Sequence, residues 1–195
     1  MIENALSRKG YSSKAKITIK SFVSVALTAL AVALPMLVHA VGGSEGGVKW
    51  LPMYLPVILG AALLGMKWGV TVAIASPIVS FCITSLFGNA MPGAARLPFM
   101  LIELAALALV MSAFSKRAEK NVLAFFPAVI IAFVCSRAVL LSLSFISGSE
   151  IFTPSMILSQ IKSGLIGVIA QTVVAPIVLI VTKFALDREK KYGGE

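Results

Sequence analysis

The chain has 195 residues, of which 58% are hydrophobic and only 13% are charged, and its mean hydropathy is +0.97. Soluble domains have about 45–50% apolar and about 25% charged residues, so the composition predicts an integral membrane protein with no room for a separate soluble domain. On a soluble protein the net charge of +9 would suggest a nucleic-acid partner. Here the basic residues flank apolar segments, as membrane orientation requires, and we predict no nucleic-acid partner.

Six apolar segments along the chain approach the length of about 20 residues that a helix needs to cross a lipid bilayer. We therefore predict an all-α membrane protein with six transmembrane helices in one compact bundle. The chain is expected to form a single membrane domain over 1–195, with a polar segment at 1–20, the bundle at 21–186 and a tail at 187–195. The predicted spans are 21–40, 50–66, 68–87, 97–115, 122–146 and 154–184.

The basic residues predict the orientation, because Lys and Arg concentrate on the cytoplasmic side of membrane proteins. Both termini are predicted to be cytoplasmic, which leaves only Lys49 and Arg96 on the outer side. The outer segments "VGGSEGGVK", "GNAMPGAAR" and "SGSEIFTP" are rich in Gly, Pro and Ser, so we expect loops that can cover a site. The residues assigned to the cytoplasmic side are Arg8, Lys9, Lys14, Lys16, Lys20, Lys67, Lys116, Arg117, Lys120, Lys183, Arg188, Lys190 and Lys191.

Apart from Lys183 at the inner end of the last span, three charged residues fall inside predicted spans: Glu103, Arg137 and Lys162. A lone ionised side chain in hydrocarbon costs about 2.5 kcal/mol or more, so each should have a partner. Counting about 1.5 Å per residue places all three in the outer half of the bundle. We expect Glu103 to face Arg137 with Lys162 nearby, which leaves a positive surplus for an acidic ligand. The alternative is that a Glu–Arg pair only pins two helices together.

Two aromatic residues and one histidine lie near the same level. Trp50 and Tyr54 are four residues apart at the outer end of the second predicted helix. They are typical of interfacial anchors, and they are also candidates for stacking on a ligand. His39 is interpreted as a solvated residue at the end of the first helix.

Small residues recur at steps of four in three predicted helices, and such rows let helix backbones approach closely in lipid. The rows of the third helix (Ser76, Ser80, Thr84) and of the sixth (from Ser155 to Gln171) are predicted to pack internally. The pair Ala29 and Ala33 on the first helix has no internal charge to accompany it. We expect this pair to contact a second membrane protein.

Motifs for catalysis and for cofactor binding are missing from the sequence. There is no G-x-x-x-x-G-K-[ST] phosphate loop, no H-E-x-x-H or Cys/His cluster with metal spacing, and no G-x-S-x-G elbow. No inverted repeat with broken helices is evident either. The chain is therefore predicted not to be an enzyme and to carry no cofactor or metal.

Two stretches resemble the substrate-binding S component of energy-coupling factor (ECF) transporters. One is "LPMYLPVILGAALLGMKWGVTVAIASPIVSF", a helical hairpin with a proline-opened first helix and a short turn. The other is "MPGAARLPFMLIELAALALVMSAFSKR", in which a proline-containing loop enters a helix with an internal Glu. The Ala29–Ala33 pair is the third point of resemblance.

The resemblance implies an ATP-driven importer for a vitamin or related micronutrient, in a bacterial or archaeal plasma membrane. Its partners would be a membrane coupling subunit, which contacts Ala29 and Ala33, and two ATP-binding subunits. An acidic vitamin such as pantothenate, niacin or a folate is favoured, while a cobalamin or a pyridoxine stays open. The alternatives are a non-transport scaffold of the bacterial cell envelope and, less favoured, an intramembrane lipid enzyme. The implied pocket consists of Trp50, Tyr54, Asn89, Arg96, Glu103, Arg137 and Lys162.

Overall fold

The structure is a computed structural model that describes residues 1–8, 10–88, 91–147 and 153–192. These residues form helices and short connections without a strand. The helices are α1 (Ile2–Arg8), α2 (Ser13–Trp50), α3 (Tyr54–Leu64), α4 (Met66–Leu86), α5 (Leu97–Lys120), α6 (Phe125–Ser147) and α7 (Pro154–Tyr192), with a 3₁₀ turn at Val122–Ala124 before α6.

Six segments of the described chain are long and apolar enough to cross a membrane, which confirms the predicted number. Their bounds are Ser13–Gly43, Gly46–Leu64, Met66–Leu86, Leu97–Lys120, Val122–Ser147 and Pro154–Asp187. The first and last segments are longer than predicted, and α7 continues in helical conformation to Tyr192.

The second segment is a broken helix. This corrects the expected loop at 41–49 and the expected continuous helix through Trp50 and Tyr54. The predicted outer loop at 41–49 is helical apart from a kink at Gly43 (φ 65°, ψ −167°), so the segment begins at Gly46. The helix then breaks at Leu51, which has left-handed backbone angles (φ 48°, ψ 48°) and donates its N–H to Gly47. Pro52 follows and has no N–H to continue the ladder. The chain becomes helical again at Tyr54.

Close packing against α7 supports the unexpected helical turn before the break. A Cβ added to Gly167 would lie 2.5 Å from the carbonyl oxygen of Lys49 and 2.7 Å from the carbonyl carbon of Trp50. A Cβ added to Gly164 would lie 3.3 Å from the carbonyl oxygen of Val48. The glycine-rich sequence favours a loop locally, but this contact with small residues of α7 stabilises it as helix.

The helix α3 lies at the centre of the bundle. Val57, Ile58 and Ala61 have no exposed surface, and 72% of the second segment is buried. A single residue, Gly65, joins α3 to α4, which confirms the predicted tight hairpin. Gly69 allows α4 to touch α3, since a Cβ there would lie 2.5 Å from the Cα of Ala61.

The polar N-terminal segment folds onto one end of the bundle, here called the α1 end. The carboxylate of Glu119, at the end of α5, pairs with the Met1 amino group and accepts a hydrogen bond from Asn4 at 2.8 Å. Its backbone carbonyl accepts a hydrogen bond from Lys183 of α7. Glu3 pairs with Lys20 at 2.7 Å, and this ion pair lowers the pKa of the exposed Glu3 carboxyl. These contacts tie α1, α2, α5 and α7 together.

Candidate functional site

A cavity of about 230 Å³ lies at the opposite end of the bundle, here called the cavity end. All six helices from α2 to α7 and the segment before α5 contribute to its wall, so it lies within the bundle rather than on its surface. The lining residues are Pro35, His39, Gly47, Val48, Leu51, Pro52, Met53, Tyr54, Ser80, Met91, Pro92, Gly93, Arg96, Met100, Glu103, Arg137, Leu140 and Gln160.

The structure brings Glu103 and Arg137 together in this wall. Nη1 of Arg137 lies 2.8 Å from Oε1 of Glu103, and the two side chains are 11% and 5% exposed. The charges therefore compensate each other, as predicted. However, no donor in the described chain makes a well-aligned hydrogen bond to Oε1. The contact is an ion pair by distance rather than a well-aligned hydrogen bond.

Tyr54 is held against this ion pair by two residues of α6. Its ring stacks on Phe133 with 5.6 Å between ring centroids and 21° between planes. The guanidinium carbon of Arg137 lies 5.4 Å from the centre of the same ring. Phe133 and Arg137 are four residues apart and so share one face of α6. This cation–π contact, with Tyr54 only 4% exposed, fixes the orientation of Arg137.

Arg96 supplies a second cation at the mouth of the cavity. It is exposed, caps the start of α5 and lies seven residues before Glu103. Seven residues are almost two full helical turns, so Arg96, Met100 and Glu103 lie along one face of α5. Within the described part of the chain, no carboxylate pairs with Arg96. The wall thus holds two cations and one carboxylate.

The segment before α5 lines the cavity and is hydrogen-bonded to α4. Ser80 donates a hydrogen bond to the carbonyl of Met91 at 2.7 Å, and the Thr84 hydroxyl accepts one from the Met91 N–H at 2.7 Å. Ser80 and Thr84 belong to the small-residue row predicted to pack internally, and both are buried. Asn89, a predicted ligand-binding residue, lies outside the described residues.

Lys162 does not lie in the cavity, in contrast to the prediction. It is exposed on the outer surface of α7, whereas Gln160 lines the cavity. Two residues apart on a helix means a rotation of about 200°, so only one of them can face inward. The 20 uncharged residues between Lys162 and Lys183 span about 30 Å, the thickness of the hydrocarbon core. The two lysines are therefore spaced like the two ends of a spanning segment, and an exposed Lys162 needs no protein partner.

Trp50 also lies outside the cavity, with 51% of its surface exposed. The prediction treated Trp50 and Tyr54 as neighbours on one helix. The break at Leu51 separates them, and it directs Tyr54 inward and Trp50 outward. The exposed position of Trp50 is that of an interfacial anchor.

The partner-contact residues Ala29 and Ala33 are exposed on α2. Their exposed neighbours on the same helix include Phe22 and Val25, which are 75% and 68% exposed. This face of α2 is therefore exposed in the part of the chain that the structure describes.

His39 and Gln160 are the lining residues that the sequence reasoning did not select. His39 bonds through Nδ1 to the carbonyl of Gly43 at 3.0 Å, and its ring lies so close to Gly47 that a Cβ there would be 2.5 Å from Nε2. The spacing of Gln160 is the signal: with Ile157, Gly164, Gly167 and Gln171 it forms a row at alternating steps of three and four, and these four neighbours are buried. Such steps stay on one face of a helix, because they average about 3.5 residues per turn. The predicted row at constant steps of four drifts around the helix instead. Its members Ser155 and Ser159 are exposed.

No group of three or more His, Cys, Asp or Glu side chains that could hold a metal ion is found among the described residues. The chain matches no protein-family model, and comparisons with curated proteins and with solved structures give no match either.

Proposed function

We propose that this chain is the substrate-binding membrane subunit of an ATP-driven importer of the ECF type, and that its ligand is a small micronutrient with an acidic group. The observation that carries the proposal is the cavity with Glu103, Arg137 and Tyr54 in its wall and Arg96 at its mouth. A pair that only pinned two helices would need neither a cavity beside it nor a second cation.

The charge and the volume of the cavity both restrict the ligand. Two cations against one carboxylate leave one positive charge, which favours a carboxylate or phosphate on the ligand. A cavity of about 230 Å³ is smaller than the range of about 300–1,000 Å³ for drug-sized ligands. A compact acid of the size of niacin or pantothenate therefore fits the proposal better than a folate or a cobalamin.

The proposed orientation places the cavity end outside the cell and the α1 end in the cytoplasm. Support comes from basic residues at the α1 end, including Lys67 at the start of α4 and Lys116, Arg117 and Lys120 at the end of α5. In this orientation the cavity would take up ligand from outside. The exposed face around Ala29 and Ala33 would contact the membrane coupling subunit, which joins it to two ATP-binding subunits.

Native mass spectrometry of the protein purified in mild detergent tests this proposal. We expect a small organic molecule to copurify with the wild-type chain and with Lys162→Met, which removes a cation outside the cavity. The double variant Glu103→Gln/Arg137→Met should retain the bundle and lose the molecule. A wild-type protein that is always free of small molecules, and that takes up none from cell extract, would contradict the proposal and favour the envelope scaffold.

A further inference from the structure

The buried carboxylate of Glu103 carries information about the ligand beyond its acidity. Glu103 lines the cavity with a side chain that is 5% exposed, and its buried Oε1 has no well-aligned hydrogen-bond donor among the described residues. Buried acceptors are nearly always satisfied in folded proteins, by protein, water or ligand. Arg137 lies 2.8 Å from Oε1 as an ion-pair partner, without a well-directed N–H. The carboxylate can therefore accept a further hydrogen bond, and a group that enters the cavity can donate it.

Arg96, at the mouth of the same cavity, favours an anionic ligand group rather than a hydrogen-bond donor. It is a cation without an ion-pair partner among the described residues, so it suits an anionic group of the ligand. Between Arg96 and Glu103 on the same face of α5 lies Met100, which also lines the cavity. The face therefore presents a cation, an apolar stretch and a hydrogen-bond acceptor, in this order. The two polar ends are about 10 Å apart along the helix axis.

The geometry points to a bifunctional ligand: a small molecule with a carboxylate at one end, a hydroxyl, amide N–H or ammonium donor at the other, and an apolar chain between them. The carboxylate would meet Arg96, the chain would lie over Met100, and the donor would bind the carboxylate of Glu103. This inference rests on the proposed function and restricts its substrate class. It excludes ligands that have an acidic group alone.

Simple probes of matched length test the inference on the purified full-length protein. The probes are terminal-amino hexanoate and terminal-hydroxy hexanoate, which have both groups, and hexanoate and hexylamine, which have one each. We expect each bifunctional probe to bind at least about tenfold more tightly than either monofunctional one, as one charged hydrogen bond contributes about a factor of ten. Isothermal titration calorimetry measures the affinities.

Variants assign each end of the probe to its residue. Arg96→Gln should reduce the affinity for terminal-amino hexanoate to the affinity that the wild type has for hexylamine. The double variant Glu103→Gln/Arg137→Met, which avoids an uncompensated charge, should reduce it to that of hexanoate. Lys162→Gln is the matched control, since it removes an exposed cation at the cavity end and should leave every affinity unchanged.

Three results would overturn the inference. The first is that hexanoate binds as tightly as the bifunctional probes. The second is that Lys162→Gln lowers the affinity of a bifunctional probe as much as Glu103→Gln/Arg137→Met does. The third is that no bifunctional probe binds at millimolar concentration. A copurified molecule that lacks either a carboxylate or a donor would also overturn it, and the proposed function would still hold. A chain that never binds a small molecule would contradict the proposed function itself.

Discussion

The ion pair between Glu103 and Arg137 gives the sharpest prediction about stability. In Glu103→Gln the guanidinium of Arg137 stays 11% exposed beside the Tyr54 ring but has no counter-charge. In Arg137→Met the carboxylate is left buried without its cation. Breaking a buried pair in this way costs about 3–5 kcal/mol, because the remaining charge is uncompensated. For a chain of this size about 1 kcal/mol shifts the melting temperature by about 2–4 °C, so each single variant should melt roughly 6–20 °C lower.

The double variant Glu103→Gln/Arg137→Met should regain most of the lost stability, since two residues in contact are coupled and neither charge remains unpaired. Thermal melting of the ligand-free protein in detergent measures all three variants against the wild type. Lys162→Met is the control: it removes a cation that is exposed, and we expect a change within about 0.5 kcal/mol. Additive losses in the double variant would refute the reasoning, because they would show that the two side chains act independently.

Three further predictions concern packing, topology and the partner face. Gly167→Ala should destabilise the protein by about 1–3 kcal/mol in chemical denaturation, because its Cβ would overlap the backbone at Lys49; Gly42→Ala, which meets open space, is the control. Gly42→Cys and Lys116→Cys place thiols at two exposed positions, and a membrane-impermeant thiol reagent should reach them from opposite sides, Gly42→Cys from outside. Labelling of Lys116→Cys in intact cells would reverse the proposed orientation. Ala29→Trp should abolish uptake of the copurifying molecule by cells while the isolated protein still binds it; loss of binding in the isolated protein would make this face internal.

The number of helices and the level of the main charges could be predicted from the sequence. A spanning helix is defined by length and apolarity, and both can be counted along the chain. Glu103 and Arg137 could be matched because a buried charge needs a partner and the positions of both could be counted from the ends of their helices. The tight turn between the second and third segments followed from the short gap between them, and the structure reduces it to the single residue Gly65.

The direction of each side chain around its helix was decided only by the tertiary structure. Lys162 was expected inside and lies outside, while Gln160 and His39 line the cavity. In a soluble helix an apolar stripe marks the buried face, but a membrane-spanning helix is apolar on the lipid side and on the protein side alike. From the sequence of such a helix, the level of a residue along the helix can therefore be predicted far better than the direction in which its side chain points.

The break in the second segment also needed the folded structure. The residues at 41–49 have the glycine content of a loop, and Trp50 and Tyr54 have the spacing of neighbours on one helix. Contact between Gly167 of α7 and the backbone at Lys49 stabilises the helical turn before Leu51. That contact joins residues more than 100 positions apart, and local sequence preference carries no information about such a distant neighbour. The sequence alone could therefore determine which segments are long and apolar enough to span a membrane, whereas long-range packing decided where the second one breaks and that Tyr54 faces the cavity.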